Sequence, residues 1–111
     1  QSALMQDFPS LEVVACDDAS TDDTEAAARP FRHDPRFRYV RREQNLGRVA
    51  NYRHSLEHDA RGQWVLMLDG DDHLTDPCFI TTAMQALAAS ADAAPCFAQA
   101  GQRVVRQPGP L

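Results

Sequence analysis

Apolar positions along this chain switch between two periods. LEVVAC (11–16) and FRYVR (37–41) have the length, alternation and β-branched or aromatic content of short strands. WVLML (64–68) is apolar at every position, which predicts a strand covered on both faces. Over 48–60 the period becomes helical: Val49, Tyr52, Leu56 and Ala60 share one face, and Gly62 stands where such a helix closes. Ser20, followed three places later by Asp23, resembles a capping box and predicts a helix through the alanines at 26–28 that Pro30 ends. Asp76-Pro77 predicts the cap and first position of a further helix with a buried stripe of Ile80, Met84 and Leu87. Residues 1–8 read as the end of a helix stopped by Pro9, and a weaker strand is expected within 94–106.

The resulting order is strand, helix, strand, helix, strand, helix, strand. Such alternation predicts an α/β protein with right-handed crossovers, a Rossmann-like parallel sheet and helices on both faces. One domain is expected over residues 1–106, with QPGPL (107–111) as a loose tail.

This topology gives the acidic residues a meaning. Strands of a parallel sheet point the same way, so residues just after each strand gather along one edge, where open α/β sheets bind ligands. Asp17 and Asp18 follow the first predicted strand, and Asp69, Asp71 and Asp72 follow the third. Two carboxylates ~5 Å apart repel by about 3 kcal/mol at an effective dielectric of 20, which a divalent cation would relieve. Mg²⁺ or Mn²⁺ prefers one or two carboxylates together with phosphate oxygens. Asp22, Asp23 and Asp76 instead sit where helix caps and first-turn acids belong.

Composition then narrows the choices. A net charge of −5 argues against a nucleic-acid surface, because a phosphate backbone wants a basic face. No apolar run approaches the ~20 residues that span a bilayer. All eleven basic residues are arginine. Cys16, Cys78 and Cys96 are odd in number and widely spaced, which predicts reduced, buried thiols and a cytoplasmic location. HSLEH (54–58) matches the H-x-x-E-H zinc pattern, but little chain remains to supply a third ligand, and exposed helix residues are the better account.

Three segments, EVVACDDASTDDT, REQNLGRVANYRHSL and ARGQWVLMLDGDDHLTDP, together resemble the nucleotide-binding half of a family-2 glycosyltransferase with the type A glycosyltransferase fold. The resemblance implies that Asp18, with Asp17 beside it, holds the base or ribose of a nucleotide-sugar donor. Asp69 and Asp71 match the family's D-x-D element and Asp72 extends it; Asp71 and Asp72 are the implied ligands of Mg²⁺ or Mn²⁺. Arg48 falls near a position where a basic side chain approaches the diphosphate, Asn51 is a further candidate there, and Asn45 and Gly47 shape the preceding turn. Departure of a nucleoside diphosphate builds negative charge that a divalent cation neutralises. In inverting members a carboxylate deprotonates the acceptor hydroxyl.

The resemblance also implies elements beyond those present. The family's first strand is expected before residue 1, and the catalytic base and acceptor half beyond residue 111. Asp92 is not assigned to that role. The expectation is a piece of a longer enzyme that binds donor without turning over, pairs with other copies through open sheet edges, and in full length lies in the cytoplasm or against the inner face of a membrane.

Three rival readings use the same acids. A receiver-like phosphoacceptor domain would make Asp69 the phosphorylated residue, but it relies on a lysine and this chain has none. A haloacid-dehalogenase-like phosphatase would use Asp69 and Asp71, but it leaves Asp17 and Asp18 without work and meets His73 where that family resembles Thr or Val. A non-catalytic nucleotide-binding module is the third.

Overall fold

A computed structural model describes residues 1–90 of the chain. Two parallel strands, β1 (Val13–Asp17) and β2 (Phe37–Arg41), form its sheet, with Val13 opposite Phe37, Ala15 opposite Tyr39 and Asp17 opposite Arg41. Valines and aromatics suit the pleated pairing, and the opposed charges of Asp17 and Arg41 reinforce it at the carboxyl end. Asp17 is therefore the last residue of the strand, where the sequence suggested the first residue after it.

The crossover from β1 to β2 carries α1 (Thr24–Ala28), which tightens into a 3₁₀ turn over Arg29–Phe31 with Pro30 inside it. The helix is capped differently from the predicted box. Asp22 accepts the Thr24 N–H at 3.0 Å, whereas the Ser20 N–H turns back to the Asp17 carboxylate at 2.8 Å. Ser20 is drawn to the strand end, Asp23 stands at the cap position without a side-chain bond, and Asp22 before it takes the first helical N–H.

The helix predicted over 48–60 forms in two parts. Regular α2 (Arg48–His54) runs into a π-helical turn, Ser55–Asp59, closed by the Ala60 N–H on the Ser55 carbonyl at 2.9 Å. The Ser55 hydroxyl also donates to the Asn51 carbonyl at 2.7 Å, a side-chain competitor within the helix ladder. Asp59, at the end of this wide turn, is buried. A π turn is rare and marks a place where local packing outweighs regular helix geometry. Entry into α2 depends on Gly47, whose φ of 82° and ψ of 156° lie in a region that essentially only glycine occupies.

The third predicted strand is not formed. Residues 64–68 carry no strand pairing, and Val65, Leu66, Met67 and Leu68 are all exposed. A wholly apolar strand gains only when both faces are covered and its backbone has a partner. The two-stranded sheet of the described residues gives this segment neither. The N-terminal residues likewise form turns rather than a helix, with the Leu4 N–H on the Gln1 carbonyl at 2.9 Å. Gln6 is buried there and pins the start of α3 (Phe79–Ala89), donating to the Asp76 carbonyl at 2.8 Å and accepting the Ile80 N–H at 3.0 Å.

Helix α3 begins two residues after Asp76-Pro77, because the Asp76 carboxylate takes the Cys78 N–H at 2.9 Å and forms a separate turn first. Ile80, Met84 and Leu87 do share a half-buried stripe. Cys16 is half-buried as expected, but Cys78 is exposed, since it lies in the turn ahead of that stripe. The strand expected within 94–106, the tail 107–111 and Cys96 lie outside the described residues. No helix among the described residues is long and apolar enough to cross a membrane.

Among the described residues the buried positions are all polar: Gln6, Asp17, Arg42, Asn51 and Asp59. Hydrogen bonds and ion pairs therefore decide how the elements meet, because a buried polar group without a partner is costly.

Candidate functional site

The carboxyl ends of β1 and β2 open into two loops that interlock. Asp17 points inward, its side chain only 1% exposed, and accepts bonds from the Ser20 N–H, the Tyr39 hydroxyl and the Arg41 guanidinium, the last at 3.1 Å. Burial alone would raise its carboxyl; the bonds from Ser20 and Tyr39 and the charge of Arg41 outweigh that and hold it below the ordinary carboxylate range. Oδ2 is committed to Tyr39 and Arg41 and Oδ1 is turned to Ser20, so the group works within the protein.

Asp18 faces the other way. One carboxylate oxygen takes the Leu46 N–H at 2.8 Å and the other the Gly47 N–H at 2.9 Å, while its backbone carbonyl takes the Asn45 amide at 3.0 Å. Each oxygen keeps a free lone pair, so the group can still accept a hydroxyl or an N–H from a ligand. The next residue, Ala19, has a φ of 60°, a left-handed conformation unusual for a residue with a Cβ. That bend sends Asp18 toward the 45–47 turn while returning the Ser20 N–H to Asp17. Strain of this kind costs about 1–3 kcal/mol and concentrates at functional loops.

Arg48 opens α2 directly after Gly47 and reaches the second acidic group. Its guanidinium lies 3.1 Å from the Asp69 carboxylate and 5.7 Å from the centre of the Tyr52 ring. Asp18 and Asp69 thus both meet the start of α2, one on the backbone of the turn leading into it and the other on the Arg48 side chain. Asp69 is half-buried, and its carbonyl takes the Asp72 N–H at 3.0 Å, folding 69–72 into a turn. Asp71 and Asp72 are exposed, and among the described residues their carboxylates have no hydrogen-bonding or ion-pair partner.

Behind this edge lies a buried network that keeps α2 in place. Arg42 donates to the Asn51 side chain at 2.9 Å, to the Ser55 hydroxyl at 3.0 Å and to the Asp59 carboxylate at 2.5 Å. Asn51 donates in turn to the Cys16 carbonyl at 3.2 Å, tying α2 to β1 at the residue before Asp17. Asn51 therefore faces the interior rather than a diphosphate. Burial pushes the Cys16 thiol up, further from a reactive thiolate. His54 and His58 lie with ring centres 4.4 Å apart, and the His58 ring contacts the His54 carbonyl at 3.2 Å.

Sequence reasoning missed Tyr39, Arg41, Arg42 and Asp59. Period-two alternation carried a signal for the first two, since positions 37, 39 and 41 lie on the same face as 13, 15 and 17 in a paired register. Arg42 and Asp59 gave none: each sits in a run of charges that reads as a solvated surface.

The donor atoms of Asp69, Asp71 and Asp72 are all carboxylate oxygens, the chemistry that Mg²⁺ and Mn²⁺ accept. Among the described residues no three His, Cys, Asp or Glu side chains converge on one point. Carboxylate oxygens of this type suit an ion that keeps further positions for phosphate oxygens, and the described residues form no closed all-protein cage.

Comparison with known proteins shows which family the chain belongs to. The model of the family described as glycosyl transferase family 2 matches residues 1–108. The chain belongs to this family. An uncharacterized protein of Mycobacterium tuberculosis is 34% identical over 98 residues, covering 86% of this chain and 28% of that protein. The succinoglycan biosynthesis protein ExoO of Rhizobium meliloti is 42% identical over 74 residues, covering 65% of this chain and 20% of ExoO. The poly(ribitol-phosphate) beta-N-acetylglucosaminyltransferase TarS of Staphylococcus aureus is 35% identical over 75 residues, covering 66% of this chain and 13% of TarS. The chain thus matches between about an eighth and somewhat over a quarter of the length of these relatives. No solved structure matches it. The two-stranded parallel sheet with its helices is an α/β arrangement consistent with a truncated type A glycosyltransferase fold.

Proposed function

We propose that this family-2 chain is the donor-binding part of a glycosyltransferase, taking a nucleoside diphosphate sugar with Mg²⁺ or Mn²⁺ and presenting it for transfer to an acceptor hydroxyl. The observation that carries the proposal is the Arg48–Asp69 contact at 3.1 Å, which joins the D-x-D turn to the same helix start that Asp18 holds through Leu46 and Gly47.

In this reading Asp18 accepts a bond from the ribose or base, and Asp17 serves indirectly by fixing Tyr39 and Arg41. Asp71 and Asp72 hold the cation, with Asp69 beside them, and Arg48 meets the diphosphate. The cation, when bound, supplies charge neutralisation for the departing diphosphate. The chain's own residues orient the donor and set its distance from the acids. The printed names of ExoO and TarS, which concern succinoglycan and poly(ribitol-phosphate), favour a polyhydroxylated polymer as acceptor class.

The test is calorimetry of the 111-residue chain against UDP and GDP, each with Mg²⁺, with Mn²⁺ and with chelator. Binding of one nucleotide in metal and its loss in chelator is the expected result. Equal affinity in chelator would overturn the metal role, and no binding of either nucleotide under any condition would overturn the donor-site assignment.

A further inference from the structure

We propose that Arg48 is a built-in counter-ion for the D-x-D turn, holding Asp69 while the site is empty and transferring to the diphosphate when donor and metal bind. The inference rests on the donor-site reading above and adds an exchange of partners that the reading alone does not require.

Three features of the arrangement point to the exchange. Arg48 makes its ion pair with an acid of the very turn that would hold the cation. The Arg48 side chain is 75% exposed and the Asp69 side chain 35% exposed, so their bond is screened by water and breaks readily. The other contact of the guanidinium is the face of Tyr52 at 5.7 Å, a sliding contact that fixes no single direction.

Charge then dictates the order of partners. With the site empty, Asp69, Asp71 and Asp72 place three carboxylates within four residues, and Arg48 offsets one of them. A divalent cation on Asp71 and Asp72 repels the guanidinium and competes for the same acidic turn. Diphosphate oxygens arriving with the cation offer Arg48 a new anion of matching fork geometry. Because Arg48 follows Gly47, whose N–H is held by Asp18, the helix start stays anchored while only the long side chain moves.

The consequence is a pair of effects of opposite sign. Arg48→Met keeps the apolar stem and removes the charge. It is expected to tighten Mn²⁺ binding in the absence of nucleotide by ~5-fold, the scale of an exposed ion pair. The same substitution is expected to weaken UDP or GDP binding in saturating Mn²⁺ by ~10-fold or more, the scale of a charge-assisted hydrogen bond. Arg48→Lys, which keeps the charge, should leave Mn²⁺ binding close to that of the parent chain.

Electron paramagnetic resonance of free Mn²⁺ measures the first effect and calorimetry with nucleotide the second, with urea midpoints showing that each variant is folded. Unchanged or weaker Mn²⁺ binding in Arg48→Met overturns the counter-ion role while leaving the donor site standing. Tighter Mn²⁺ binding with unchanged nucleotide affinity overturns the transfer to diphosphate. A parent chain that binds Mn²⁺ neither alone nor with nucleotide overturns both the exchange and the metal role, whereas the donor-site reading falls only if neither nucleotide binds under any condition.

Discussion

Replacing Asp71 and Asp72 together with alanine is expected to abolish metal-dependent binding of UDP or GDP while leaving the chain folded. Both carboxylates are exposed, and among the described residues neither has a side-chain partner, so their removal breaks no packing. Outer-sphere partners of a bound metal are commonly worth 10- to 100-fold in affinity, so losing the ligands themselves should cost on the order of 100-fold or more. Asp69→Ala is a different case, because it also frees Arg48. Calorimetry with Mn²⁺ and each nucleotide checks the double variant against the parent chain, and circular dichroism confirms the fold. Retained metal-dependent binding in the double variant would place the cation on other residues.

The second large effect is on stability. Arg42→Ala or Asp59→Ala is expected to destabilise the chain by about 3 kcal/mol, since removing one member of a buried ion pair strands the other charge. The Arg42 and Asp59 side chains are only 8% and 11% exposed, so solvent does little to compensate. Replacing both at once, Arg42→Met with Asp59→Leu, should cost far less than either alanine variant. Urea unfolding measures the three.

The pair also fixes a pH dependence. Burial by itself would raise the Asp59 carboxyl; the bonds and charge of Arg42, with a contribution from His54, prevail and hold it below its ordinary value of 3.8. A carboxyl depressed in the folded state stabilises the chain above that ordinary value, and the contribution disappears as pH falls through the depressed one. Asp17 has the same sign. The urea midpoint of the parent chain should therefore drop below about pH 4, and Asp59→Asn should flatten that drop. An unchanged acid limb in Asp59→Asn would show that the pair does not carry it.

The strands β1 and β2 and the helix opened by Arg48 were legible because each is short, local and written in a clear period. Gly47 was legible as a turn residue, and its backbone angles show why no other residue serves there as well. The order of the three motifs likewise pointed to the family that the comparison confirms. What the sequence obscured was anything set by partners distant along the chain. WVLML carries the strongest strand pattern of all, yet a pattern states only what a segment would do if paired and covered. Arg42 and Asp59 look like surface charges until the π turn brings them together, seventeen residues apart. Asp17 and Asp18 are adjacent and chemically identical in the sequence. The bend at Ala19 gives one of them to the interior and the other to the site.

The central claim is that the turn held by Asp18 and the acids of 69–72 border one cleft. Substoichiometric Mn²⁺ added with UDP or GDP to the isotopically labelled chain tests this by nuclear magnetic resonance, because amides nearest the ion broaden first. Leu46 and Gly47 are expected to broaden together with Asp69 to Asp72, while Ala88 and Ala89 at the end of α3 stay sharp. Early broadening at 69–72 with Leu46 and Gly47 untouched would contradict it.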